Sequence, residues 1–227
     1  TKMFISNAPV ADLFLIFATK NRKHGFMGIS AFLLEKGTPG LFVGRPIGKM
    51  GLRTSPMAEV VLDQCEIPVG QRLCAEGNGG TIFRHSMAWE RCCILASCVG
   101  SMTRLVEACT QHARSRRQFG KPLSAFQAVS HRIVDMKVRL EGARLLLYRA
   151  GWLRDQGADA AAEVATAKLV IAEAYVQICL DAVQLHGGYG YTTEFELERE
   201  LRDAIGSRIY SGTSEIQKEI IADSLGL

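Results

Sequence analysis

The first third of the chain alternates short apolar runs with turn residues. The runs are rich in β-branched and aromatic side chains, and Asn-Ala-Pro, His-Gly, Lys-Gly-Thr-Pro-Gly and Thr-Ser-Pro segments separate them. Runs of this kind predict strands joined by hairpins. We therefore expect an antiparallel sheet or barrel up to about residue 75. The predicted strands are Phe4–Ser6, Leu13–Thr19, Ile29–Leu34, Leu41–Ile47 and Glu59–Leu62.

The pattern changes after the Glu76-Gly-Asn-Gly-Gly80 segment, where the chain becomes rich in Ala, Leu, Arg and Glu. Long helical stretches are predicted at about residues 80–113, 124–154 and 158–186, with a broken one from 195 to the end. Long helices joined by short loops pack as an up-down bundle. The predicted fold class is α+β, with an antiparallel β domain over residues 1–76 followed by a four-helix bundle over residues 77–227.

The first predicted helix carries a carboxylate on its apolar stripe. Phe83, Met87, Glu90 and Ile94 follow helical spacing, so Glu90 is expected to be buried beside Trp89. An unpaired buried carboxylate is costly, so two readings stay open. Glu90 could pair with an arginine of another helix, or it could act as a base with raised proton affinity.

Composition excludes several classes of function. The 227 residues include 48% hydrophobic residues and carry a net charge of +4 with no basic block, so nucleic acid is not an expected partner. The apolar run Leu13–Ala18 is too short to span a membrane. Seven cysteines without a Cys-x-x-Cys pair indicate a reducing compartment. The five histidines lack metal-ligand spacing, so no metal site is expected.

Two segments are candidates for phosphate binding, each with a plainer structural alternative. The Gly187-Gly188-Tyr189-Gly190 cluster follows a helix, so it is not a dinucleotide-binding loop of the strand-turn-helix type. It is either a helix end or a close approach of backbone to a ligand. The basic segment Ser115–Pro122 either caps a helix or presents arginine to a pyrophosphate.

Three strings, taken together, carry a specific resemblance. They are Arg116-Arg-Gln-Phe-Gly120, Gln184-Leu-His-Gly-Gly-Tyr-Gly-Tyr191 and Ile209-Tyr-Ser-Gly-Thr-Ser-Glu-Ile-Gln217. In this order and spacing they strongly resemble the acyl-CoA dehydrogenase family. Lys2–Asn7 is similar to the family's flavin-facing strand, so the resemblance covers essentially the whole chain.

The resemblance implies the family's middle β domain, in part, followed by its C-terminal four-helix bundle. The chain opens at Thr1 within strand-like sequence, so we expect either a fragment or a chain whose beginning lies elsewhere. Compared with the family pattern, the N-terminal helical domain and the opening of the β domain are missing. The resemblance also implies FAD as cofactor, with Arg116 and Gln118 contacting it across a dimer interface. The implied cofactor residues are Phe4, Ser6, Arg116, Gln118, Phe126, Gln127, Gln184, Leu185, His186, Gly187, Gly188, Thr213, Ser214 and Glu215.

One departure from the family pattern concerns the catalytic base. Many members carry it in a Tyr-Glu-Gly-Thr string, where this chain has Tyr210-Ser211-Gly212-Thr213. Members resembling isovaleryl-CoA and long-chain acyl-CoA dehydrogenases place the glutamate on the first bundle helix, before an arginine, as Glu90 stands here. The resemblance therefore implies Glu90 as the base, with Ser211 contributing only its backbone donor and its small size. Trp89, Arg91 and Gly212 are the expected substrate contacts.

The expected function is FAD-dependent α,β-dehydrogenation of an acyl thioester, carried by CoA, which we favour slightly, or by a carrier protein. The alternative is a non-catalytic partner subunit of a heteromeric acyl-CoA dehydrogenase. The resemblance further implies an electron acceptor such as an electron-transfer flavoprotein, and a homodimer or homotetramer. A cytoplasmic location is expected, with the mitochondrial matrix as the other option.

Overall fold

The computed structural model describes residues 1–227, which divide into two compact units, Thr1–Met87 and Ala88–Leu227. The eight strands are β1 (Lys2–Ser6), β2 (Leu13–Thr19), β3 (Ile29–Glu35), β4 (Leu41–Val43), β5 (Met57–Leu62), β6 (Arg72–Leu73), β7 (Arg117–Gln118) and β8 (Lys121–Pro122). The seven helices are α1 (Gly79–Cys93), α2 (Ala96–Ser115), α3 (Gln127–Asp155), α4 (Ala161–His186), α5 (Gly188–Tyr191), α6 (Leu197–Gly206) and α7 (Ser214–Leu225).

The first unit contains two antiparallel three-stranded sheets, ordered β1-β5-β4 and β2-β3-β6. Along β2 the side chains alternate, with Phe14 and Ile16 buried and Leu13 and Leu15 exposed. This alternation follows from the two-residue period of a strand with one face on the core. The sequence placed five of the strands; it extended β4 four residues too far and missed β6.

The second unit is helical and is built around α4. This helix packs against α2, α3, α6 and α7, so its alanine-rich sequence is buried on several sides. The core of this second unit includes Met102, Leu105, Met136, Leu140 and Ile171, all at most 1% exposed. The fold class is α+β, with antiparallel sheets and a helical C-terminal part, as the sequence predicted.

The helical part differs from the prediction at two points. The first predicted helix breaks at Ile94 and Leu95 into α1 and α2, and the short helix α5 precedes the last predicted stretch. That last stretch, predicted as broken, consists of α6 and α7 separated by the loop at 207–213. The basic segment after α2 forms the small β7–β8 hairpin, whose turn places Phe119 and Gly120 at positive φ. By length and composition alone, the stretch Gly79–Ser115 could cross a membrane, a test that core helices of soluble proteins also pass.

Candidate active site

Glu90 and Ser211 meet although 121 residues separate them in the chain. Glu90 lies near the end of α1, and Ser211 lies in the loop between α6 and α7. The Ser211 Oγ donates a hydrogen bond to Glu90 Oε1. The next residue of α1, Arg91, donates from Nε to the Ser211 carbonyl oxygen at 3.1 Å. Consecutive residues of α1 therefore contact both the side chain and the backbone of Ser211.

The loop around Ser211 is a tight turn with two residues at positive φ. Ser211 has φ 56° and Gly212 has φ 93°, a conformation that favours glycine at the second position. A Cβ at Gly212 would lie 2.8 Å from Gln217 Nε2 and 3.3 Å from the Ile216 Cγ2, so no larger residue fits without a shift. Lys168 Nζ and Gln217 Nε2 both donate to the Gly212 carbonyl, at 2.8 and 3.0 Å. The buried side chains of Lys168 and Gln217 therefore hold the Gly212 end of the turn in place.

The predicted burial of Glu90 is wrong. Glu90 is exposed, and Phe83 on the same stripe is 37% exposed. The core lies against a different side of α1, where Cys92 is buried, so the stripe that carries Phe83 and Glu90 is not the core face of this helix. The structure also rejects the plainer reading of this residue, since the hydrogen-bond partner of Glu90 is the Ser211 hydroxyl and not an arginine of another helix.

Trp89 and Arg91 have defined contacts of their own. Burial lowers the pKa of the Arg91 guanidinium, and the neighbouring Glu90 carboxylate opposes that shift. Arg91 holds the Ser211 carbonyl, so its Nε is committed to positioning the turn. The Trp89 indole is 42% exposed and lies 5.0 Å from the guanidinium carbon of Arg154, within cation–π range. Trp89 therefore presents an open aromatic edge one residue from the carboxylate.

A second cluster of predicted residues lies beyond the far end of α2. Arg116 follows α2 directly and shares a cavity of about 530 Å³ with the end of α4. The cavity is lined by His112, Arg116, Leu123, Gln184, Leu185, His186, Gly187, Gly188, Tyr189 and Thr192. Six of the predicted cofactor residues therefore meet in one place, although their two segments are 68 positions apart, the difference between 116 and 184.

The lining of this cavity fits the phosphate-bearing half of a dinucleotide. Gly187 ends α4 at φ 59°, which confirms the helix-end reading, and a Cβ on Gly187 or Gly188 would meet nothing within 4 Å. The backbone is thus open to a ligand here. The exposed Arg116 guanidinium lies 5.7 Å above the Tyr189 ring, where it is held without an acidic partner. A volume of about 530 Å³ is in the range of cofactor pockets.

Two histidines form the floor of the cavity. His112 and His186 stack with their ring centroids 4.1 Å apart. His186 is buried, with Nδ1 2.9 Å from the Ala182 carbonyl oxygen, so its side chain is hydrogen-bonded within its own helix. Burial lowers the pKa of His112, and the adjacent His186 and Arg116 lower it further. The half-buried His112 ring lines the cavity, where an aromatic ligand could contact it.

The remaining residues of the basic segment lie on the β7–β8 hairpin and at the start of α3. Gln118 pairs with Lys121 across the hairpin and is exposed. Lys121 Nζ lies 4.2 Å from the Phe126 ring centroid, and Gln127 is the exposed first residue of α3. The structure therefore places Gln118 and Gln127 on an exposed edge rather than in the lining of the cavity.

The predicted cofactor residues 213–215 lie at the start of α7, beside the Glu90 site. Thr213 caps α7 by accepting from the Ile216 N–H, and Ser214 is buried with its Oγ 3.2 Å from Glu173. The Ser214 side chain therefore faces α4 and only its backbone is available. Hydrogen bonds from its own backbone N–H and from Thr213 lower the pKa of the exposed Glu215. This cluster and the Arg116 cavity lie at opposite ends of the 20-residue α2, roughly 30 Å apart at 1.5 Å per residue.

Phe4 and Ser6 belong to the first unit. The β1–β5 register shifts between Lys2 and Ile5, and Phe4 adopts φ 59° at this irregularity. The Phe4 ring is 65% exposed, and Ser6 is exposed as well. A bulge that turns an aromatic side chain outward from a strand is a common device at ligand sites.

Sequence reasoning missed Lys168 and His112. Lys168 shares the helical spacing of Val164, Ile171 and Tyr175, and all four are buried. The helical-spacing argument that was used for α1 would have identified Lys168 as a buried residue if it had been applied to α4. His112 lies four residues before Arg116, which places both on one side of the end of α2.

Comparison with known proteins gives consistent results. The chain is 54% identical to L-prolyl-[peptidyl-carrier protein] dehydrogenase of a Serratia species, over 100% of this chain and 58% of that protein. It is 40% identical to an acyl-CoA dehydrogenase of Bacillus subtilis, over 99% of this chain and 59% of that protein. A solved structure of PigA with FAD and proline is 53% identical, with a TM-score of 0.97, covering 99% of this chain and 59% of that one.

This chain thus spans just under three fifths of the length of these relatives. The family model for the acyl-CoA dehydrogenase middle domain matches residues 1–65, and the model for the acyl-CoA dehydrogenase C-terminal domain matches residues 77–226. These two matches cover most of the chain and agree with the β part and the helical part of the fold. The chain belongs to the acyl-CoA dehydrogenase family.

Proposed function

We propose that the protein is an FAD-dependent dehydrogenase that removes the α and β hydrogens of an acyl thioester, and that its acyl group is a prolyl group on a carrier protein. The observation that carries the chemistry is the contact between the Glu90 carboxylate and the Ser211–Gly212 turn. Removal of a proton next to a carbonyl requires a base and a hydrogen-bond donor for the carbonyl oxygen. An exposed carboxylate beside a turn with free backbone N–H groups supplies both.

Glu90 acts as the general base. Its carboxylate accepts the α proton, and the electron pair of the broken Cα–H bond moves into the new Cα–Cβ double bond while the β hydrogen leaves as hydride. Bound FAD supplies the hydride acceptor for this step. The Ser211 hydroxyl holds one carboxylate oxygen in place, so the other oxygen of Glu90 is free to face the α carbon.

The turn supplies the donor for the thioester carbonyl. The backbone hydrogen bonds around it use the N–H groups of Tyr210 and Ser214 and not those of Ser211 and Gly212. The Ser211 N–H can therefore donate to the carbonyl oxygen as enolate charge develops there. Because this donor is a backbone group, it is retained although a serine stands where many relatives carry glutamate.

The cofactor is held by residues from two copies of the chain. Residues 213–215 lie beside Glu90, whereas Arg116 and residues 184–188 lie roughly 30 Å away along α2. The two clusters of one chain thus face different ends of the bundle. A second copy that brings its Arg116 cavity to the first copy's Glu90 site would complete the binding site, which supports a homodimer or a homotetramer.

The prolyl substrate and its carrier are favoured by the comparisons with relatives. Identity is 54% to a protein named for prolyl-carrier dehydrogenation and 40% to one named for acyl-CoA. This reverses the slight preference for CoA that was expected from the sequence alone. Electrons would then pass to a separate soluble acceptor.

The carrier is tested by competition. The holoenzyme is supplied with a prolyl group either on a phosphopantetheinylated carrier protein or on CoA, and bleaching of the flavin absorbance is followed. We expect the carrier-bound form to react at least about tenfold faster, because contacts remote from the reacting atoms contribute to the rate. Equal rates would identify a CoA enzyme. No reaction of any acyl thioester would favour the non-catalytic partner subunit.

A further inference from the structure

Lys168 is a buried lysine that the proposed chemistry does not use directly. It lies in the second turn of α4 and is 0% exposed. Lysine is almost never fully buried unless its ammonium group is paired. No carboxylate lies within ion-pair distance of Lys168; Glu173 and Glu215 act on it only from farther away. Burial lowers the pKa of its ammonium group, and the Arg91 guanidinium lowers it further.

The partners of this ammonium group are two backbone carbonyls of one loop. Lys168 Nζ donates to the Ser207 oxygen at 2.9 Å and to the Gly212 oxygen at 2.8 Å. The Tyr210 ring centroid is 6.0 Å from the same nitrogen. These contacts bracket the loop, because Ser207 directly follows α6 and Gly212 follows Ser211. Lys168 therefore ties together the two ends of the turn that reaches Glu90.

The backbone conformation of this loop requires support from the surrounding structure. Ser211 adopts φ 56°, a backbone angle that residues other than glycine rarely adopt unless the surrounding structure imposes it. Its Oγ must point at Glu90 while its carbonyl accepts from Arg91. An apolar side chain of similar length, such as that of methionine, could fill the same space, but it would have no N–H donor for either carbonyl. An ammonium group has three donors and satisfies both.

We propose that Lys168 is a positioning residue for the dehydrogenation, because its ammonium group fixes the Ser207–Gly212 loop so that Ser211 holds the Glu90 carboxylate and presents its N–H to the substrate carbonyl. The role rests on the proposed function. It reaches the reacting atoms only through the loop, since Lys168 itself is enclosed by the bundle.

The test compares Lys168→Met with Tyr175→Phe in the holoenzyme and in the cofactor-free protein. Tyr175 is the matched control, because it is buried on the same helix and donates to Glu200 at 2.9 Å, away from the loop. Hydrogen exchange of residues 207–214 is measured without FAD or substrate. We expect faster exchange of this segment in Lys168→Met than in the control. In the holoenzyme the rate at saturating substrate should fall at least about tenfold, with KM within about threefold.

Three results would overturn the proposal. One is exchange of residues 207–214 in Lys168→Met at the rate of the unaltered protein. Another is an equal loss of rate in Tyr175→Phe at an equal loss of thermal stability, which would reduce Lys168 to a structural role. The third is a fall in activity that appears in KM alone. Should Lys168→Met fail to fold, Lys168→Gln, whose uncharged amide nitrogen is one bond closer to the backbone than the lysine nitrogen, is held to the same criteria. If the unaltered protein oxidises no acyl thioester, the proposed function fails, while the exchange measurement still decides whether Lys168 fixes the loop.

Discussion

The Ser211 hydroxyl donates to the Glu90 carboxylate, so the residue that occupies the family's usual base position contacts the residue proposed to replace that base. The sequence assigned Ser211 only a backbone role. The structure gives its side chain a second role, because a donor to one carboxylate oxygen restricts how the carboxylate can rotate. The two side chains are therefore joined by a hydrogen bond, and the proposed base and the residue at the usual base position are in direct contact.

Replacing Glu90 with glutamine should abolish most of the chemistry. Glu90→Gln keeps the shape, and the Ser211 hydroxyl can still donate to the amide oxygen, but the base is lost. General base catalysis contributes a factor of about 10² to 10⁴, so the rate of flavin reduction in the holoenzyme should fall by that amount while substrate still binds. Stopped-flow absorbance measures the rate. Glu219→Gln, on the exposed surface of α7, is the control. A loss within about twofold would show that Glu90 is not the base.

Removing the Ser211 hydroxyl separates its two roles. Ser211→Ala keeps the backbone N–H and loses the hydrogen bond to Glu90. A hydrogen bond to a charged group contributes about 1.5–3 kcal/mol, so a rate loss of about tenfold or more is expected. The same stopped-flow measurement applies. An unchanged rate would return Ser211 to the purely backbone role that the sequence predicted.

Arg116 should contribute to cofactor retention and not to folding. Its cap contact is made by its backbone N–H to the His112 carbonyl, so Arg116→Ala leaves the end of α2 intact. We expect a lower ratio of bound FAD to protein at unchanged helical content, because the guanidinium on the cavity wall is lost. Absorbance and circular dichroism measure the two quantities. Arg114→Ala, at the same helix end but outside this cavity, is the control. Equal FAD loss in both variants would contradict the assignment.

His112 should make the protein less stable in mild acid. Its folded pKa is lowered by burial, His186 and Arg116, whereas an unfolded histidine has a pKa of about 6.5. The unfolded state therefore binds more protons as the pH falls below that value, and the free energy of unfolding decreases until the lower folded pKa is reached.

The variant His112→Phe keeps a ring to stack on His186 and removes this titration. The drop in Tm between about pH 7.5 and about pH 5.5 should be smaller in this variant than in the unaltered protein. Thermal denaturation followed by circular dichroism measures the difference. His131→Phe, exposed on α3, is the control. An equally reduced drop in that control would remove His112 as the cause.

The sequence by itself determined much of this protein. The apolar run Leu13–Thr19, bounded by turn residues, placed β2, and the long alanine-rich stretch ending at His186 placed α4, because both signals are local in the sequence. The Arg116 and Gln184–Gly188 motifs were found as strings of residues. They meet in one cavity, but only their resemblance to a family, and no local physics, joined them beforehand.

Tertiary structure decided which face of each helix is covered. Glu90 and Lys168 both stand on apolar stripes, yet Glu90 is exposed beside Ser211 while Lys168 is 0% exposed. The difference comes from packing, because α4 is surrounded by α2, α3, α6 and α7, whereas α1 buries Cys92 and leaves the neighbouring Glu90 exposed. The helical period of a sequence identifies which residues share one face of a helix, but it does not identify the element that covers that face. The partner is set by contacts between residues far apart in the chain, such as Ser211 and Glu90.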